Sequence, residues 1–248
     1  MGDEGPSVQP SLFGPQLERM GLQIGQLHSW QISYREAVAL QRQLRDRLIE
    51  QPVEIDSLDT VAGVDVSSSL GSTLIHAAAV VLDLETMERV DSATASVETR
   101  FPYIPGLLSF REGPAALAAL GQLSLVPDVV IFDGHGYAHP RRLGLAAHMG
   151  LWIGMPSIGC AKTRLVGEHE PPARKRGEWT PLLDAGETIG AVLTTREGVK
   201  PIFVSRGHLC DLESAIAVVM AATGRFRLPE PTRRAHSLCN EVRKASKD

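Results

Sequence analysis

Apolar and polar positions along the chain follow two different periods. Ala37, Leu40, Leu44 and Leu48 recur at helical spacing, and Ser33 with Glu36 forms a capping box ahead of them. A helix from Ser33 to about Gln51 is predicted, stopped near Pro52. Residues Thr60–Val66, Ile75–Leu82 and Arg89–Thr99 then read as strands separated by short turns, which predicts an antiparallel meander. Period-2 alternation puts Asp65 on one face with Gly63 and Ser67, opposite Val64 and Val66. A stiff loop, Phe101-Pro-Tyr-Ile-Pro-Gly106, precedes a helix from Leu107 to Leu125 that Gly113-Pro114 interrupts early. Val129–Phe132 is a continuous apolar run of the kind that forms a strand buried on both faces.

Further on, a helix is predicted for Leu143–Trp152, a strand for Pro156–Ala161, and a polar loop for Val166–Trp179. A hairpin around Glu197-Gly198 joins Glu187–Thr195 to Ile202–Ser205, and helices follow at Asp211–Ala222 and Thr232–Lys244. Hairpins mixed with helical crossovers predict an α/β fold, a mixed central β-sheet flanked by helices. Residues 1–30, rich at their start in Gly, Pro, Ser and acids, are expected to be a flexible leader, and 31–248 a single domain.

Composition narrows the function classes. The formal charge is −4, so nucleic acid could be held only by local basic patches. Candidates are Arg141, Arg142, Lys162, Arg164, the triplet Arg174-Lys175-Arg176 and the C-terminal arginines. Cys160, Cys210 and Cys239 are widely spaced, which fits buried free thiols rather than disulfides or a zinc knuckle. No apolar run is long enough for a membrane span and no secretory signal is visible. A cytoplasmic monomer is expected.

Three carboxylates carry the chemistry. Asp133 ends the buried strand and turns into Gly134-His-Gly136. Asp65 lies on the first strand and Glu112 on the helix after the Tyr103 loop. If the first and fourth strands are neighbours, the aspartates converge and repel, and a divalent cation with oxygen ligands would relieve them. Each residue also has a plainer explanation. Asp133 could cap a turn, and Glu112 could complete a capping box with Ser109. Lys162 could be a solvated strand-end lysine, Tyr103 a gap filler, and His148 a satisfied core histidine.

The motifs Val64-Asp-Val66, Phe101-Pro-Tyr-Ile-Pro-Gly106, Phe110-Arg-Glu112 and Asp133-Gly-His-Gly-Tyr-Ala-His-Pro-Arg141 resemble the endonuclease V family. Pro156-Ser-Ile-Gly-Cys-Ala-Lys162 and Val204-Ser-Arg-Gly-His208 continue the match, which runs from about Tyr34 to Val242. The resemblance implies a ribonuclease-H-like fold and a Mg²⁺ site, with Mn²⁺ able to substitute, at Asp65, Asp133 and Glu112. It implies Lys162 and His208 as further catalytic residues, with Asp211 as an additional acid near the centre. Pro102, Tyr103 and Ile104 would form a strand-separating wedge. The base would be read near Gly106 and Gly136, with His139 and Arg141 completing the substrate contacts. The implied reaction is hydrolysis of the second phosphodiester 3′ to deoxyinosine in DNA, leaving 3′-hydroxyl and 5′-phosphate ends. Alternatives are an inosine-specific endoribonuclease and a non-catalytic binder of inosine-containing nucleic acid. The chain carries His135 between the two glycines of the Gly134-His-Gly136 motif, and its leader is longer than in many bacterial members.

Overall fold

The computed structural model describes Leu22 and residues 24–69 and 71–246. Strands β1 (Thr60–Ser68), β2 (Leu74–Asp83), β3 (Arg89–Glu98), β4 (Val129–Phe132), β5 (Ser157–Ala161), β6 (Trp179–Asp184), β7 (Glu187–Leu193) and β8 (Ile202–Arg206) build one sheet. Helices α1 (Tyr34–Arg45), α2 (Leu108–Leu120), α3 (Leu145–Ile153), α4 (Leu212–Ala221) and α5 (Glu230–Ala245) flank it. The strand order is β3-β2-β1-β4-β5-β8-β7-β6.

The meander β1-β2-β3 is antiparallel, as its short turns predict. Strand β4 then pairs in parallel with both β1 and β5. Parallel neighbours need long connections, and α2 and α3 supply them. Helices α2 and α3 bury Val64, Val130 and Phe132 on one face of the sheet. Helices α4 and α5 bury Val61, Val129 and Ile131 on the other. All four residues of β4 are buried, which explains its uninterrupted apolar run.

Gly63 has a specific reason. A Cβ there would strike the backbone of Pro231 and Thr232, so only glycine lets the first turn of α5 settle directly on β1. That close approach fixes where the rest of α5 crosses the strand.

The predicted boundaries differ most from the observed ones at three places. Helix α1 ends at Arg45, not near Gln51, because the chain leaves to tie to the turn after β8. There Ile49 N–H donates to His208 Nδ1 (3.2 Å) and Leu209 N–H to Ile49 O (2.8 Å). Helix α2 ends at Leu120 with Gly121 as its cap, five residues short of the predicted end at Leu125. Strand β6 falls at the end of the stretch read as a polar loop and runs beyond it, where Pro181 weakens the strand signal. As the terminal strand of the sheet, β6 tolerates a residue without an N–H.

Most of the expected leader lies outside the described residues. Its last part is placed against the core, with Leu22 buried there and Ile24, Leu27 and Trp30 packed on the α2–α3 side.

Candidate active site

Parallel pairing of β1 with β4 places Val64 beside Phe132, and Asp133 N–H donates to Val64 O (3.0 Å). Asp65 and Asp133 are therefore the next pair in register, at the carboxyl end of the central strands. Asp65 is only 6% exposed, on the face that α5 covers. Helix α5, seated by Gly63, brings His236 Nδ1 to 2.8 Å from Asp65 Oδ2. One donor atom each from Asp65, Asp133 and His236 lie within 4.8 Å of one another. Lys162, just past the end of β5, donates from Nζ to Asp133 Oδ2.

Glu112 reaches the same end of the sheet from α2, on the opposite face. Its carboxyl feels both aspartates. Burial, then the charge of Asp65, pushes it up to about 8, with Asp133 adding to the rise and Arg111 opposing it. Burial, then the charge of Asp133, pushes Asp65 up to about 6 against the pull of His236 and Lys162. The capping-box explanation of Glu112 does not hold. Leu107 is the N-cap of α2, and the Ser109 hydroxyl is bonded to His148 Nδ1 (2.9 Å) instead.

The donor set fits a divalent cation. Two carboxylates and an imidazole converge, and the carboxylates repel each other in a way that Lys162 and His236 relieve only in part and a cation would relieve further. A carboxylate majority suits Mg²⁺ or Mn²⁺ better than softer metals. His236 was not singled out from the sequence, although a histidine stands among Arg233, Arg234 and Asn240 in the basic helix.

Beside the acids lies a cavity of about 240 Å³ walled by Tyr103, Ile104, Leu108, Ser109, Leu145 and Leu165, among others. Tyr103 stands at its rim, 70% exposed. Pro102 and Pro105 stiffen its mounting. The end of this loop is clamped, for Gly106 O accepts from Gln41 Nε2 (3.0 Å), His139 Nε2 (2.9 Å) and Arg141 Nη2 (2.7 Å). Gly106 itself has φ +78°, a backbone state that favours glycine. Burial and the neighbouring Arg141 push His139 down to about 4, so the imidazole is neutral in this clamp.

Three sequence expectations are corrected by this geometry. Gly136 does not line the cavity, and its N–H is already given to Ser205 Oγ (2.9 Å) and its carbonyl accepts from Gly144 N–H (2.9 Å). Its real role is close packing, since a Cβ would strike the carbonyl of Arg206. His208 lies at the opposite end of β5 from Lys162. Strand β8 runs antiparallel to β5, so its exit sits beside Ser157, where His208 N–H donates to Ser157 Oγ (2.9 Å). Asp211 caps α4 by accepting from Ser214 N–H (2.7 Å) and is not part of the acidic group.

A sequence model of the family described as Endonuclease V matches residues 42–237. Endonuclease V of Roseiflexus sp. (strain RS-1) is 52% identical over 214 residues, covering 86% of this chain and 95% of that protein. The crystal structure of Endonuclease V from Streptomyces avermitilis superposes with a TM-score of 0.85 at 44% identity, covering 92% of this chain and 100% of that one. Endonuclease V of Ciona intestinalis, solved in complex with a 23mer DNA containing an inosine followed by a ribo-adenosine, superposes with a TM-score of 0.74. That protein is 30% identical, and the match covers 86% of this chain and 99% of its own. A mixed sheet with carboxylates meeting at the ends of its central strands, matched along nearly the full length of these proteins, places this chain in the endonuclease V family.

Proposed function

We propose that this chain is a Mg²⁺-dependent endodeoxyribonuclease that hydrolyses the second phosphodiester 3′ to deoxyinosine, leaving 3′-hydroxyl and 5′-phosphate ends. The observation that carries the proposal is the meeting of Asp65, Asp133 and His236 next to Lys162 and a base-sized cavity with an exposed tyrosine at its rim. Asp65, Asp133 and His236, whose donor atoms converge, would hold the cation, with Glu112 as a third carboxylate facing them from α2. When bound, the cation supplies charge to polarise the phosphate and favour attack by water.

The chain's own residues supply the rest. The Lys162 ammonium, paired with Asp133 here, would serve as a point charge for a phosphate oxygen. Glu112 holds a proton at neutral pH in the cation-free protein and would have to release it to bind the cation. Tyr103, held on its two prolines and on the Gly106 clamp, enters the base stack beside the lesion. Stacking there offsets part of the cost of turning the base out into the cavity. The basic segments near the site, Arg164 and Arg174-Lys175-Arg176 among them, would follow the phosphate backbone. Among the described residues, no helix is long and apolar enough to cross a membrane.

The test is a cleavage assay with Mg²⁺ or Mn²⁺ on duplexes with and without one deoxyinosine and on an inosine-containing RNA. Nicking confined to the deoxyinosine strand is expected. No nicking of any substrate would eliminate the nuclease assignment. The Ciona relative was solved on inosine followed by a ribo-adenosine, which favours a second reading of this chain as an inosine-directed endoribonuclease. Faster cleavage of the RNA than of the DNA would select it.

A further inference from the structure

Behind the cavity lies a row of polar groups that the chemistry above does not use. The indole of Trp152 can only donate, and its Nε1 lies 3.2 Å from His28 Nε2. That nitrogen therefore carries a lone pair, and the hydrogen of His28 sits on Nδ1, which donates to Ser29 O (2.8 Å). His148 Nε2 lies 2.7 Å from the same His28 nitrogen and donates into the same single lone pair, which the longer Trp152 contact shares as a three-centre bond. His148 Nδ1 is then bare and accepts from the Ser109 hydroxyl at 2.9 Å. Trp30 stacks on Trp152, with centroids 5.0 Å apart and planes 13° from parallel, and holds the first member in place. Burial lowers the basicity of both imidazoles, so a second proton does not upset the sequence of donors.

Ser109 is 2% exposed and lines the cavity. A free hydroxyl would rotate to suit a donor or an acceptor. Here its hydrogen is committed to His148, and only lone pairs remain for a ligand. A 6-oxopurine such as hypoxanthine carries N1–H, whereas adenine has a lone pair at N1. We infer that Ser109 is a specificity-determining residue that accepts a hydrogen bond from N1–H of the base in the cavity, its polarity fixed by Trp152, His28 and His148. Adenine would set lone pair against lone pair and leave both groups unpaired, the costlier outcome in a desolvated pocket. The segment that holds His28 and Trp30 thus acts on base choice without touching nucleic acid, and His28 and His148 are positioning residues. The inference rests on the cavity being the base pocket.

The experiment is single-turnover cleavage by the full chain of duplexes carrying deoxyinosine or 2′-deoxynebularine, whose N1 is bare and which lacks the 6-oxo group. The unaltered protein is expected to prefer hypoxanthine. Ser109→Ala should lower that preference about tenfold, through weaker binding of the deoxyinosine duplex and relief of the lone-pair clash with nebularine. Ser109→Thr should restore most of it, and His28→Phe should remove part of it. Nitrogen-15 spectra of the unaltered protein should show His148 protonated at Nε2 and His28 at Nδ1, a readout independent of how the variants fold. The opposite tautomers, or an unchanged preference in Ser109→Ala, would overturn the role of Ser109 while leaving the base pocket standing. An unaltered protein that does not distinguish the two bases would remove the pocket assignment and this inference with it.

Discussion

Replacing Gln41 by methionine isolates the clamp on the tyrosine loop. Gln41 is 1% exposed, and methionine keeps its length and volume while removing its polar atoms. Three hydrogen bonds disappear, from Gln41 Nε2 to Gly106 O and Leu143 O (3.0 Å each) and from Arg141 Nε to Gln41 Oε1 (2.5 Å). Gly106 O keeps His139 and Arg141, so the first loss is small, about 0.5 kcal/mol. Leu143 O loses a buried donor, which costs about 1.5 kcal/mol. The Arg141 guanidinium is partly solvated, so its bond is discounted to about 1 kcal/mol. The sum is about 3 kcal/mol, or a melting temperature lower by about 6–12 °C for a domain of this size. Urea unfolding with and without Mg²⁺ gives the stability. Titration of a fluorescent deoxyinosine duplex gives the affinity, which should weaken several-fold because the loop end is loosened. Mg²⁺ affinity should be unchanged. A stability loss under about 1 kcal/mol with unaltered lesion affinity would refute the clamp.

Asp133→Ala and Asp65→Ala should each abolish nicking and retain binding of the deoxyinosine duplex, and near-normal cleavage by either would remove that residue from the centre. Tyr103→Ala should cost lesion affinity about 1–3 kcal/mol by loss of base stacking. Its melting temperature should not move, because the ring is largely in solvent. The pH response follows from Asp65 and Glu112, raised from 3.8 to about 6 and from 4.5 to about 8. In the cation-free protein the folded state retains protons that the unfolded chain has released, so stability falls as pH climbs from about 4 to about 8. Mg²⁺ competes for the deprotonated groups and should raise the melting temperature more at about pH 8 than at about pH 5, and an equal rise would contradict the assignment. Duplex affinity should fall steeply between low and moderate salt despite the net charge of −4, and a flat dependence would dissociate the basic segments from binding.

The central strands were legible because their period and composition agree with their burial. Val129–Phe132 is apolar at every position and is buried on both faces, and Asp65 breaks the pattern of β1 where the chemistry lies. Strand β6 was not legible, since Pro181 and the exposed Trp179 speak against a strand until an edge position is known. His236 was hidden for another reason. Its partner Asp65 is 171 positions away, and nothing local distinguishes an imidazole on a basic helix from surface. His208 misled in the converse way, because proximity to a motif in sequence says nothing about which end of a strand an antiparallel neighbour exits. Ser109 with Glu112 matched a capping pattern in letters, but the backbone at Leu107 starts the helix two residues earlier.

The saddle that Gly63 makes for α5 has a consequence for biosynthesis. One wall of the centre comes from the first strand and its imidazole from the last helix. A polypeptide still emerging from the ribosome, or clipped ahead of residue 230, would carry both aspartates and the tyrosine loop yet lack the piece that closes over them. Such a piece would hold neither the imidazole nor the cover over Asp65, so the centre stays incomplete until α5 docks.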